Sequence, residues 1–134
     1  LSKNNQNVIR DGASLPGYVQ ADPTGLYGSC AFKYRPMLPE ETEELEYYRD
    51  SLREKPKELV VKMAAAIAER IMAWSEVYDD GSPVPVSKDT VRHLKYRLFL
   101  RMYRIISQQE ASDKNPDESA GDDEVVSLRE LEKN

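Results

Sequence analysis

No regular helix can run through Asp79-Asp80-Gly81-Ser82-Pro83-Val84-Pro85, and that interruption dictates what can form on either side of it. Gly81 is free to take the left-handed backbone that stops a helix. Pro83 and Pro85 lack an N–H donor and keep the following chain extended. Upstream, Val60, Met63, Ala64, Ile67, Ile71 and Trp74 recur at three- and four-residue steps. Downstream, Val91, Leu94, Leu98, Met102 and Ile105 do the same, and Phe99 and Ile106 widen the stripe. This spacing predicts a helix over 56–78 and another over 88–108. Ser87 is placed as the N-cap of the later helix, with Val86 and Val91 as a hydrophobic staple across it.

A further helix is expected over 39–55. Pro39 suits a first turn, and Glu40, Glu41, Glu43 and Glu44 sit where the helix dipole favours carboxylates. Leu45, Tyr48 and Leu52 give it a narrow apolar stripe, and Pro56 ends it. Before it, residues 15–37 read as extended chain. Asp22-Pro23-Thr24-Gly25 suits a type I turn, and afterwards Leu26, Cys30, Phe32 and Tyr34 fall on one side of a period-two pattern. Together these make a β-hairpin, which needs helices or another chain to cover it.

Both ends are polar. Residues 1–14 carry scattered Asn, Gln and Ser, and 111–124 is the acidic stretch "ASDKNPDESAGDDE". The expected organisation is therefore a flexible segment over 1–14, one folded domain over 15–108, and a disordered acidic segment over 109–134. The fold class is mainly α, three helices with a small N-terminal hairpin. Within the last segment Val125, Val126, Leu128 and Leu131 form a short apolar motif suited to ordering on a partner. A single cysteine allows no internal disulfide. The longest uncharged apolar run, "MAAAIA" at 63–68, falls far short of the ~20 residues that span a bilayer. A soluble, intracellular protein is expected.

Chemistry has few footholds. One histidine and one cysteine, far apart in sequence, do not make a transition-metal site. The glutamates at 40–44 suggest a di-iron bundle, but that needs Glu-x-x-His pairs, and Thr90 stands three before His93. The six glycines are scattered, so no phosphate-cradling loop exists. His93 reads as a partly exposed helix residue near a cap, and Cys30 as a small core hydrophobe. No catalytic residue, metal or cofactor is expected.

Binding surfaces are better represented. Phe32, Tyr34 and Arg35 are candidates for an interface presented by a strand edge, and Trp74 for an anchor, against the alternative that its ring closes the core. The segment "RHLKYRLFLRMYR" (92–104) carries Arg97, Arg101 and Arg104 with tyrosines interleaved, a pattern that can lie along phosphates. The net charge of −5 weighs against nucleic acid as the partner.

Two stretches, "PGYVQADPTGLYGSCAFKYRPMLPEETEEL" and "IMAWSEVYDDGSPVPVSKDTVRHL", in this order and spacing, resemble the small tail assembly chaperones of long-tailed bacteriophages and prophages. The resemblance implies a small helical protein of the bacterial cytoplasm with no catalytic site. Such a protein coats the tape measure protein, several copies along one client, until tail tube subunits polymerise around it. On that reading the client contacts are Phe32, Tyr34, Arg35, Trp74 and the 125–131 motif, together with apolar positions that the helices cannot mutually bury. The other reading is a small nucleic-acid-binding regulator that uses the basic helix 92–104.

Overall fold

The computed structural model describes residues 7–75, 77–79 and 81–117. In chain order it forms β1 (Leu15–Val19), β2 (Cys30–Tyr34), α1 (Pro39–Ser51), α2 (Pro56–Arg70), β3 (Ile71–Trp74), β4 (Tyr78–Asp79), β5 (Ser82–Pro83), α3 (Lys88–Arg92) and α4 (Tyr96–Ile106). The strands β1, β2 and β3 make an antiparallel sheet with β2 in the centre, and β4 pairs with β5 separately. Among the described residues the architecture is thus an α+β mix of four helices and a three-stranded sheet, rather than a three-helix domain carrying a lone hairpin.

The hairpin forms as the residue pattern predicts. Gly25 N donates to Asp22 O at 2.9 Å, and Gly25 has φ 80°, a conformation that glycine adopts without steric cost. The Asp22 carboxylate accepts from Thr24 N and Leu26 N and from the Thr24 hydroxyl. Leu26, expected inside, is exposed in the loop, whereas Cys30, Phe32 and Tyr34 are buried. They meet Val19, Met63, Ile67 and the apolar face of α4 in one core.

The helix expected over 39–55 ends at Ser51, and of the two expected on either side of residues 79–85 one is cut short and the other broken in two, each of these for a tertiary reason. α2 stops at Arg70 instead of continuing to Tyr78, because the next four residues form β3, which pairs with β2. Arg35 satisfies the exposed end of the helix. Its N–H donates to Arg70 O at 2.8 Å, and its guanidinium Nη2 donates to Glu69 O at 3.2 Å. Within β3 the register slips: Lys33 faces Ala73 but Tyr34 faces Ile71, which leaves Met72 as the extra residue of a bulge. The bulge lets Ile71 and Trp74, three residues apart, both turn toward the core. A spacing of three is helical in appearance, and here it belongs to a kinked strand.

The helix expected over 88–108 is two helices. α3 ends at Arg92 with His93 as its C-cap, Lys95 takes an extended conformation (ψ 139°), and α4 starts afresh at Tyr96. No glycine or proline marks this break. It lets α3 pack on α2 while α4 turns to meet both α2 and β1. Ser87 caps α3 as expected, its hydroxyl accepting from Thr90 N at 3.1 Å.

Hydrogen bonds also reach into both end segments. Ala13 N donates to Arg10 O at 3.0 Å, a turn inside the segment expected to be flexible. Residues 110–113, expected to be disordered, run along the outer edge of β1, where Asp113 N donates to Tyr18 O at 3.0 Å. Among the described residues no helix is long and apolar enough to cross a membrane.

Candidate functional site

α1 is fastened to the core most closely along its first half. Glu41 Oε1 accepts from Leu38 N at 2.9 Å, and Glu41 Oε2 accepts from Arg70 Nη2 at 2.6 Å, so one carboxylate both caps α1 and ties it to α2. The Leu38 N–H first, and then Arg70, hold that carboxyl below the usual glutamate range. Thr42 Oγ1 donates to Ser107 O at 3.2 Å, and Leu45 is buried. One turn further, the Tyr103 hydroxyl donates to Glu46. Burial raises the Tyr103 hydroxyl to about 12, reinforced by the Glu46 carboxylate beside it. Burial alone would raise Glu46, but the bonds from Tyr103 and Arg49 outweigh it and leave its pKa lowered.

Beyond Glu46 the helix offers apolar side chains with no core to enter. Tyr47 is 67% exposed. Tyr47, Tyr48 and Leu52 form one wall of an open groove of about 780 Å³, and Val61 and Ala65 of α2 form the other, with Lys57, Glu58 and Lys62 at the rim. Tyr48–Leu52 and Val61–Ala65 are each one helical turn apart, so each wall presents a continuous ridge. Lys62 Nζ lies 4.1 Å from the centroid of the Tyr48 ring, a cation–π contact across the groove wall. A groove with two apolar ridges and a largely cationic rim suits an amphipathic helix with acidic flanks.

A second hollow, also of about 780 Å³, lies between the chain's own residues 7–13 and the start of α1, with Leu15, Pro36 and Met37 in its wall. Part of that wall is the N-terminal segment itself, so an incoming chain would meet a surface already partly covered.

The residues singled out from sequence do not gather. Phe32 and Tyr34 are core residues of the central strand, 5% and 4% exposed, so the strand-edge interface expected of them is corrected. Their rings lie 5.4 Å apart, and burial pushes the Tyr34 hydroxyl up. Arg35 caps α2. Trp74 is half-buried, and its indole N–H donates to Val84 O at 2.8 Å, which ties β3 to the connection after β5. Val125, Val126, Leu128 and Leu131 lie outside the described residues.

The basic helix is partly neutralised from within. Arg101 Nε lies 3.0 Å from Glu110 and its Nη1 3.2 Å from Asp113, while Arg104 lies 3.5 Å from Glu110. Arg97 lines a hollow of about 310 Å³ with Asp22, Tyr27 and Tyr96. His93 is exposed at the end of α3, its Nδ1 2.7 Å from Asp89 O, and Cys30 is buried under the sheet. Among the described residues, no three His, Cys, Asp or Glu side chains converge as metal ligands would.

Tyr47 and Val61 were missed by the sequence reading, although a signal was present. Both lie outside the apolar stripes assigned to their helices, and an aromatic or β-branched residue off the core stripe of two neighbouring helices marks a surface that faces outward. Comparison with family models, with curated proteins and with solved structures finds no match to this chain.

Proposed function

We propose that the protein is a non-enzymatic assembly chaperone of the bacteriophage tail type, acting in the cytoplasm of a bacterial host. Its client is an amphipathic helix of the tape measure protein, held in the groove between α1 and α2. The observation that carries this reading is the exposed pair of ridges, Tyr47–Tyr48–Leu52 and Val61–Ala65, with Lys57 and Lys62 beside them. Burying such a groove gains hydrophobic free energy, and an aromatic anchor within it gives a contact point of the kind that dominates binding. Each contact is modest, so several copies along one long helical client would add up to firm retention. The tail tube subunit, which takes over the client, is the second partner on this reading.

The nucleic-acid reading has less to stand on. Arg101 and Arg104 are bridged to Glu110 and Asp113 of the same chain, so binding phosphate would first require breaking those pairs.

Two observations test the proposal. The gene should adjoin a very long, helix-rich reading frame. Co-expression of that frame's product with this protein should shift it from the insoluble to the soluble fraction. A neighbourhood without such a frame, or a client equally insoluble with and without this protein, contradicts the reading.

A further inference from the structure

The outer edge of the sheet is occupied by the chain's own continuation. The main-chain groups of Tyr18 in β1 and of Gln20 just after it are free of β2, and Ser112 and Asp113 answer them. Asp113 N donates to Tyr18 O at 3.0 Å, Tyr18 N donates to Ser112 Oγ at 2.7 Å, and Gln20 N donates to Asp113 Oδ2 at 2.8 Å. Only the first of these joins main chain to main chain. The segment is therefore a strap held by a serine and an aspartate side chain, not a ladder strand. Arg101 clamps it from α4, with Nε 3.0 Å from Glu110 and Nη1 3.2 Å from Asp113.

The turn that delivers the strap is strained. α4 closes with Gln108 N donating to Ile105 O at 3.1 Å and Gln109 N donating to Arg104 O at 2.8 Å. This double bond pattern puts the residue after the cap into left-handed backbone, where glycine is preferred. Gln108 stands there instead with φ 65°, alone among the described non-glycine residues in having positive φ. A side chain with a Cβ stores strain in that conformation, and extending the chain releases it.

We propose that the strap is exchangeable: the β1 edge of one copy accepts residues 110–113 of a second copy, with Gln108 as the hinge. The occupant follows from the contacts. The groups that hold the strap within one chain, Tyr18, Gln20, Arg101 and Arg104 on one side and Glu110, Ser112 and Asp113 on the other, are present in every copy with matching polarity. An opened edge exposes unpaired main-chain groups, and the segment that already fits them is the same strap from a neighbour. Reciprocal exchange closes as a two-fold dimer and needs no new kind of contact. The surface shares no residue with the groove between α1 and α2, so its fate and that of the client-binding reading are separate.

The test is the mass of the full chain in solution, by light scattering after size exclusion, for wild type, Gln108→Pro, and Gln108→Pro with Arg101→Ala. Proline cannot adopt positive φ, so it forbids the closed turn and sends the strap outward. The expected result is a shift of Gln108→Pro toward the mass of two chains relative to wild type. Adding Arg101→Ala should return it to one, because the strap needs that clamp in either copy. A folded Gln108→Pro at the wild-type mass overturns the proposal, as does a two-chain species indifferent to Arg101→Ala. Should circular dichroism show Gln108→Pro unfolded, the readout is a labelled synthetic peptide of residues 107–117. It is titrated into full-length protein carrying Ser112→Ala and Asp113→Ala, whose own strap is weakened. Saturable binding, weakened about tenfold or more when the peptide's own Asp113 is Ala, supports exchange. Absence of binding overturns it.

Discussion

Gly17 faces Phe32 across the β1–β2 ladder, and the Phe32 ring fills the space that a side chain at 17 would need: an ideal Cβ there would lie 2.5 Å from ring carbons Cε2 and Cζ. The backbone at Gly17 is ordinary, so what is required is the absence of a methyl group, not conformational freedom. Phe32 is buried in the core and has no open side to which it can retreat. Gly17→Ala is expected to cost about 1–3 kcal/mol by overpacking, read as a lowered urea midpoint with little change in slope.

Arg35 acts at the end of α2 rather than at an interface. Arg35→Ala removes the guanidinium bond to Glu69 O but keeps the main-chain bond to Arg70 O. The expected loss is about 1 kcal/mol of stability with client affinity unchanged. A drop in affinity larger than the drop in stability would return Arg35 to the binding surface.

Trp74→Phe keeps a ring on β3 and deletes the N–H that reaches Val84 O. About 1 kcal/mol of stability is expected to be lost. The loss should be accompanied by faster amide hydrogen exchange at Val84, whose N–H bonds Val77 O in the ladder that the indole braces.

The pH dependence has two limbs of opposite sign. Glu41, Glu46 and Asp113 have carboxyls lowered in the folded state, Glu41 first through the Leu38 N–H, and the other two through bonds that outweigh their burial. Their stabilisation is complete above the ordinary carboxyl value of about 4 and disappears as pH falls below it. The Tyr103 hydroxyl is raised to about 12, so its contribution is complete below the unfolded tyrosine value and is lost as pH rises toward the folded one. Urea midpoints should be flat between about pH 5 and 9 and fall on both sides. Tyr103→Phe should shrink the alkaline limb to what the raised Tyr34 hydroxyl contributes, and should also reduce the acid limb, because Glu46 loses the bond that holds its carboxyl down.

Local chemistry was readable wherever the cause lies within a few residues. The Asp22–Gly25 turn, the start of α1 at Pro39 and the Ser87 cap have their cause in their own segment, whereas Gly81 takes its left-handed backbone in the turn between β4 and β5 instead of ending a helix. What could not be read depends on partners distant in the chain. Ile71 and Trp74 keep helical spacing yet lie on a bulged strand, because β2 offers an edge that only the folded hairpin creates. The break at Lys95 has no glycine or proline to mark it, since it serves the divergent packing of α3 and α4. The strap at 110–113 has a disorder-like composition, but Arg101 and the β1 edge give its acids somewhere to go. As for the groove, the off-stripe positions of Tyr47 and Val61 were in view, and only the angle between two helices turns them into one surface.

Client capture in the α1–α2 groove is tested most directly by titrating a helical tape measure segment into full-length protein by calorimetry. Wild type should be compared with Tyr47→Ala combined with Val61→Asp, and with Arg97→Ala combined with Arg104→Ala. All of these positions are exposed, so the fold should be kept, as circular dichroism can check. The groove variant is expected to raise Kd by about tenfold or more, and the arginine variant by no more than about twofold. Wild-type affinity in a folded groove variant would contradict the assignment.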